Sequence, residues 1–301
     1  MEKKNNTPTK ISSVSQFHTL FDLPKPLHPM ISLVDNKILA VKAETNNSFL
    51  LDFYKYSTNG KMGYGQGYYD FNEGGLMFTS PNQLIFTDNE EGTEYHGYTL
   101  FFHPDFIRNY PLGKNIKKYG FFSYDTNEAL HLSDSEKTTI IGLLNSIDNE
   151  LHTAIDEMSQ DVIISYIDVL LNYSNRFYKR QFITRKTISN NLLLKVEETL
   201  NDYFNNAETL QRGLPSVDFL ASQVNVSSHY LSDMLRNLTG QNAQQHIHSK
   251  LIEKSKDFLM TTNLSVAEIA YQLGFEYPQS FSKLFKKKTN LTPLEFKNSL
   301  N

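Results

Sequence analysis

The spacing of apolar residues changes along the chain, and each change predicts a different kind of element. From about Ile31 to Phe106 the apolar residues partly alternate. "SFLLDFYKYS" (48–57) and "TEYHGYTLFF" (93–102) are rich in Phe, Tyr and Leu and read as strands. "NEGGLMFTSPNQLIFTD" (72–88) reads as two short strands parted by a Ser-Pro-Asn turn. "KMGYGQGYYD" (61–70) is Gly- and Tyr-rich and reads as a loop or an irregular strand. Closely spaced strands with such turns predict a small barrel or sandwich.

From Ser133 the period becomes helical. "SDSEKTTIIGLLNSIDNEL" opens with a capping box, in which Ser133 accepts from a free backbone N–H and Glu136 reaches back. A second helix follows in "SQDVIISYIDVLLNYSNRFY". Ile163, Ile167, Leu170, Ser174 and Phe177 recur every three or four residues, and Ile164, Tyr166, Leu171 and Tyr173 widen the stripe. That face is expected to cover the barrel or a second copy of the chain. "NRFYKRQFITRKTISNN" (175–191) is polar and basic with little periodicity. The expected domains are therefore an α+β front at 1–180, with strands at about 31–106 and helices at about 134–178. A linker at 181–191 and an all-helical domain at 192–301 follow.

Composition narrows the class. A chain of 301 residues accommodates about two domains. There is no Cys, which excludes disulfides, thiolate metal sites, a catalytic thiol and methyl transfer to a Cys acceptor. No apolar run approaches the roughly 18 residues of a membrane span, and the polar, basic N-terminus lacks the apolar core of a signal peptide. A cytoplasmic protein is expected. The net charge of -4 hides an asymmetry: residues 1–178 hold 14 Lys+Arg against 22 Asp+Glu, and residues 179–301 hold 15 against 11. An acidic front and a basic back predict that only the back meets a polyanion.

The last hundred residues contain a repeat. "FLASQVNVSSHYLSDMLRNLTG" (219–240) lies over "EIAYQLGFEYPQSFSKLFKKKTN" (268–290). Leu220, Ala221, Val224 and Val226 match Ile269, Ala270, Leu273 and Phe275. After one inserted residue, Leu231, Ser232, Leu235, Arg236 and Thr239 match Phe281, Ser282, Phe285, Lys286 and Thr289. Each copy has the layout of a helix-turn-helix. Ser265 and Glu268 predict a capping box, with Leu264 and Ile269 placed for a hydrophobic staple. Asn225 and Gly274 suit a turn residue with positive φ. Ser227 is expected to cap one second helix, and Pro278 to open the other. Gly240 and Asn290 suit helix ends, and beyond Asn290 the residues Thr292, Pro293 and Glu295 predict a further capped helix with a capping box. Leu231, Met234 and Leu235 in one copy, and Phe281, Leu284 and Phe285 in the other, are expected in the core. Between the copies, "AQQHIHSKLIEKSKDFLMTT" has no Gly or Pro. It reads as one helix from about Asn242 to Leu259, roughly 27 Å long, near the roughly 34 Å of one DNA turn.

The motifs "IAYQLGF", "SFSKLFKKKTNLTPLEFK" and "YLSDMLRNLTG" resemble the AraC/XylS family of bacterial transcription regulators over about 110 residues. The front is more weakly similar, through "YGQGYYDFNEGGLMFTSPNQ" and "GYTLFFHPDF", to the cupin-like barrel with trailing helices common in such regulators. The resemblance implies sequence-specific promoter binding, with sensing or dimerisation in the front domain. The implied partners are double-stranded DNA, a small-molecule effector, RNA polymerase and a second copy of the chain, with no membrane.

Residues matching the family's base-reading positions are Ser228, His229 and Ser232 in the first copy and Gln279, Ser280 and Lys283 in the second. Gln279 suits adenine and Lys283 suits guanine acceptors. Arg236, Lys286, Lys287 and Lys288 are candidate phosphate contacts, each of which could equally be part of a solvated helix face. Asp233 departs from the basic residue many family members carry there; it could accept from cytosine N4, or pair with a neighbouring cation and weaken phosphate approach. The first unit is therefore expected to be the weaker reader.

Other signals lead away from enzymes. His96 and His103 are seven apart and no H-x-H with a following Glu occurs, so no metal or other cofactor is expected. His246 and His248 are expected exposed on different faces of a helix. "GYGQG" (63–67) lacks the spacing of a nucleotide site, and no catalytic Ser/His/Asp set is supported. Tyr54, Tyr56, Tyr64, Tyr68 and Tyr69 are candidates to line an effector pocket, or simply to pack the barrel. The competing reading is a cupin-type enzyme with an appended DNA-binding tail.

Overall fold

The structure, a computed structural model, describes residues 9–38, 47–51, 54–58, 75–87, 97–125, 128–153, 156–206 and 213–299. Two compact units divide at Gln181/Phe182.

In the first unit the strands are β1 (Thr9–Ile11), β2 (Ile31–Asp35), β3 (Asn47–Leu51), β4 (Tyr54–Thr58), β5 (Gly75–Thr79), β6 (Gln83–Thr87), β7 (Tyr98–Phe102) and β8 (Leu130–His131). They form two sheets, one in the order β1-β3-β6 and one in the order β2-β7-β4-β5-β8. Strands fall in the expected segments, but 48–57, read as one strand, is divided between β3 and β4, which lie in different sheets. Among the described residues, however, they make two small sheets rather than a closed barrel. The Ser80-Pro81-Asn82 turn explains part of this. Asn82 takes a φ of 63°, and the two flanking strands pair with different partners, β5 with β4 and β6 with β3. The turn is a corner between sheets, not a hairpin.

Helix α1 (Val14–Leu20) lays Val14 and Phe17 against Val34 and Phe101. Two short helices, α2 (Pro104–Ile107) and α3 (Pro111–Asn115), lead on toward α4 (Asp134–His152) and α5 (Ser159–Thr184). The capping box of Ser133 and Glu136 opens α4. The wide stripe of α5 is used within the fold: Ile163, Ile164, Ile167, Leu170, Leu171 and Phe177 are all buried. Phe78 of β5 meets Phe121, whose ring stacks on Tyr178 of α5 at 5.5 Å. Arg180 then clamps the start of α4, with Nε 3.0 Å and Nη2 2.6 Å from the Glu136 carboxylate.

The second unit is helical: α6 (Lys186–Asn205), α7 (Val217–Gln223), α8 (Ser228–Thr239), α9 (Ala243–Thr261), α10 (Val266–Gln272), α11 (Pro278–Thr289) and α12 (Pro293–Asn298). Residues 181–191, the expected linker, are the end of α5, a break at Arg185 and the first turn of α6. Helix α9 was expected as a rod between modules. It packs against α6, α7, α8, α10 and α12, and it buries Ala243, Ile247, Leu251, Ile252, Ser255 and Leu259. The spacer is therefore the hub of the unit's core.

Candidate nucleic-acid interface

Two helix-turn-helix units share one backbone turn but differ in how their helices are capped. In the first, Ser216 caps α7 by accepting from Phe219 N–H, and Ser227 caps α8 by accepting from Tyr230 N–H. In the second, Ser265 and Glu268 form the capping box of α10, and Pro278 opens α11. Asn225 and Gly274 take φ values of 56° and 86°. This lets the chain turn back, so that Val226 N–H donates to Ala221 C=O and Phe275 N–H to Ala270 C=O, at 3.1 and 3.0 Å.

The second helices also end alike. Gly240 and Asn290 are left-handed, at φ 77° and 62°. Thr239 and Thr289 donate to the carbonyls of Leu235 and Phe285, and accept from Gln241 and Leu291 N–H. The repeat runs further than its apolar matches. Asn242 and Gln245 form a capping box at the start of α9, as Thr292 and Glu295 do fifty residues later at α12.

Leu231, Met234 and Leu235 of α8, and Phe281 and Phe285 of α11, are buried. Leu284, expected beside them, is only half-buried. Burial of Phe281 and Phe285 turns the other side of α11 outward. Gln279, Ser280 and Lys283 are exposed there, followed by exposed Lys286, Lys287 and Lys288.

The first unit presents a different surface. His229 is exposed, while Ser228 and Ser232 are half-buried. Ser228 Oγ donates to the Asp218 carboxylate of α7. Asp233 accepts from Arg236 Nη1 at 2.9 Å, so this arginine is held along its own helix. The shared starts of α8 and α11 set His229 against Gln279, Tyr230 against Ser280 and Asp233 against Lys283. Tyr230 is not free to read a base edge, because its ring packs edge-on against Phe182 at 5.2 Å.

Glu268 and Glu295 lie below the usual carboxylate range. Side-chain and backbone hydrogen bonds with Ser265 lower Glu268, and those with Thr292, backbone first, lower Glu295. His246 and His248, expected exposed, are half-buried, and burial lowers both. His246 Nε2 lies 2.8 Å from Thr239 Oγ1, which ties α9 to the end of α8.

The front unit carries less of the expected chemistry. His103 caps α2 by accepting from Asp105 N–H. His96, Tyr64, Tyr68, Tyr69 and the "GYGQG" stretch fall outside the described residues. Tyr54 and Tyr56 are on β4, in register with Phe102 and Leu100. Among the described residues no group of three His, Asp or Glu could hold a metal ion, and no helix is long and apolar enough to cross a membrane.

Residues 220–299 match the helix-turn-helix domain family. The uncharacterized HTH-type transcriptional regulator in the cgkA 5'region of Pseudoalteromonas carrageenovora is 33% identical over 111 residues, 37% of this chain and 59% of that protein. The uncharacterized HTH-type transcriptional regulator YfiF of Bacillus subtilis is 28% identical over 155 residues, 52% of this chain and 45% of that protein. The chain thus spans about half the length of these curated relatives. Among solved structures, a transcriptional regulator of the AraC-type DNA-binding domain-containing proteins from Chromobacterium violaceum is 23% identical. It covers 35% of this chain and 91% of that one, with a TM-score of 0.31.

Proposed function

We propose, since the C-terminal unit is an AraC-type helix-turn-helix domain, that the whole chain is a DNA-binding transcription regulator. One observation carries this reading. Helix α11 sits on a repeated helix-turn-helix frame with Phe281 and Phe285 inward and Gln279, Ser280 and Lys283 outward. An amide and an ammonium on an exposed helix are the groups that pair with adenine and guanine edges in a major groove. Lys286, Lys287 and Lys288 supply phosphate contacts that add affinity without sequence reading.

In this reading α11 is the stronger base reader. The first unit contributes mainly His229 and contacts that set orientation, with Ser228, Ser232 and Arg236 in supporting positions. The front unit senses an effector, holds a second copy of the chain, or both. In this reading its strands belong to a cupin-like fold, which the two described sheets leave open, and the five tyrosines mark where an effector would be sought. RNA polymerase is the natural further partner of such a regulator.

The test is selection of genomic fragments on the purified full chain, followed by sequencing. A recurrent motif, lost in the double variant Gln279→Ala/Lys283→Ala, is expected. No enrichment over random competitor at moderate salt would overturn the reading.

A further inference from the structure

Ser228 opens α8, and the first residues of a helix lying in a major groove are the ones that reach base edges. A serine hydroxyl has one proton to donate and two lone pairs that accept, so a free serine pairs with either kind of base edge. In this chain the proton is committed. Ser228 Oγ meets the Asp218 carboxylate of α7, and a carboxylate can only accept, so the hydroxyl donates to it. Among the described residues Ser228 Oγ makes no other hydrogen bond, which leaves its lone pairs for a ligand.

The bond is not needed to build the unit. At the offsets that align the two copies, Ala267 and Pro278 stand where Asp218 and Ser228 do, and their side chains cannot make it. The second unit still forms the same backbone turn, with Phe275 N–H donating to Ala270 C=O as Val226 N–H does to Ala221 C=O. Asp218 is exposed and Ser228 half-buried, so the pair lies at the rim of the fold and not in its core. The first unit thus carries a polar pair that the frame common to both does without.

We propose that Asp218 is a specificity-determining residue: by taking the Ser228 proton it makes Ser228 an acceptor-only reader, which selects an amino-bearing base, adenine or cytosine, at one position on the contacted strand. Adenine N6 and cytosine N4 present N–H donors in the major groove, whereas guanine O6 and N7 and thymine O4 present only acceptors. Against guanine or thymine the Ser228 lone pairs would face other lone pairs, and both groups would lose water with no bond in return. Asp218 acts here through Ser228, as a positioning residue. The inference rests on the DNA-binding reading above and adds to it the direction in which the first unit reads one base pair.

The test uses the full chain. Duplexes are selected from a random library on the wild type, Ser228→Ala and Asp218→Asn, and the bound fragments are sequenced. The position whose base frequencies change in Ser228→Ala is the one Ser228 reads. In the wild type that position should hold adenine or cytosine on one strand about fivefold over guanine or thymine, the ratio that one net hydrogen bond gives. Asn keeps the shape of Asp218 but can donate from its amide, which frees the Ser228 proton. Asp218→Asn should therefore bring the ratio close to one at that position and leave the positions read by α11 unchanged. Removing a negative charge also raises affinity for any duplex, but equally for every base, so the ratio does not register it. Guanine or thymine at the Ser228 position in the wild type overturns the inference, as does an unchanged ratio in Asp218→Asn. A loss of preference at all positions alike in that variant would show a purely structural role and overturn it too. Should Ser228→Ala alter no position, the inference fails and the regulator reading stands. No enrichment of any motif by the wild type overturns both.

Discussion

Asp233 and Lys283 hold the same place in two copies of one helix and carry opposite charge. Asp233 is engaged by Arg236, while Lys283 is exposed on α11. Losing a base contact from Lys283 is worth about 1–3 kcal/mol of discrimination. The exposed Asp233–Arg236 pair is worth about 0–1 kcal/mol to the fold, and its removal frees a cation. On a selected binding site, Lys283→Ala should therefore weaken binding at least about fivefold, the equivalent of about 1 kcal/mol. Asp233→Ala should leave affinity unchanged or raise it. Titration of both variants on that site decides the matter, and an equal loss from Asp233→Ala would refute it. At the turns, Gly274→Ala forces a side chain onto a φ of 86° and should cost about 1–2 kcal/mol in chemical denaturation. Asn225→Gly should be neutral or slightly stabilising, because its φ of 56° suits glycine at least as well.

The caps act at the scale of the element. Ser227 accepts from Tyr230 N–H, and Ser227→Ala should lower the stability of the second unit by about 1 kcal/mol, read as a shift in its denaturation midpoint. Glu268 and Glu295 close capping boxes and have lowered pKa values. A lowered carboxyl stabilises the fold above its unfolded pKa of about 4.3 and loses that contribution as pH falls through its folded value. Glu268→Gln keeps an acceptor for Ser265 N–H but cannot titrate. Melting curves between about pH 5 and pH 3 should show a smaller acid-induced fall in Tm for this variant than for the wild type. An equal fall would mean that this box contributes nothing to acid sensitivity.

These elements were largely legible in the sequence. The capping boxes of α4, α10 and α12, the positive-φ positions and both helix stops depend on residues no more than four apart. The Asn242–Gln245 box carries the same signal, an Asn followed three residues later by Gln. The half-buried Leu284 shows the limit of periodicity. Spacing places a residue on a face but not at the depth its neighbours allow.

For the whole molecule, the main revision concerns α9. A rod joining independent modules would let each unit melt alone. A helix buried against α6, α7, α8, α10 and α12 makes them share one core. Leu251 is fully buried, so Leu251→Ala should cost about 2–5 kcal/mol. It should lower the melting of both helix-turn-helix units together, in one transition. Site-resolved hydrogen exchange showing only one unit weakened would contradict this. Charge is also divided at this scale: residues 1–178 hold 14 Lys+Arg against 22 Asp+Glu, and residues 179–301 hold 15 against 11.

By itself the sequence determined whatever is written in neighbouring residues: the repeat, the helix starts and stops, the turn that needs positive φ, and the exposed polar face of α11. Those features follow from hydrogen bonds and periodicity within one or two turns. Tertiary structure decided which strands share a sheet across the Ser80–Asn82 corner, that the spacer lies in the core, and that Ser228 and Arg236 are held by carboxylates. Most of these pairings join residues ten to forty apart, and their energies depend on packing that no local pattern encodes. The exception, Asp233 with Arg236, was open to sequence reading as one of two roles for the aspartate, and only the folded geometry selected between them.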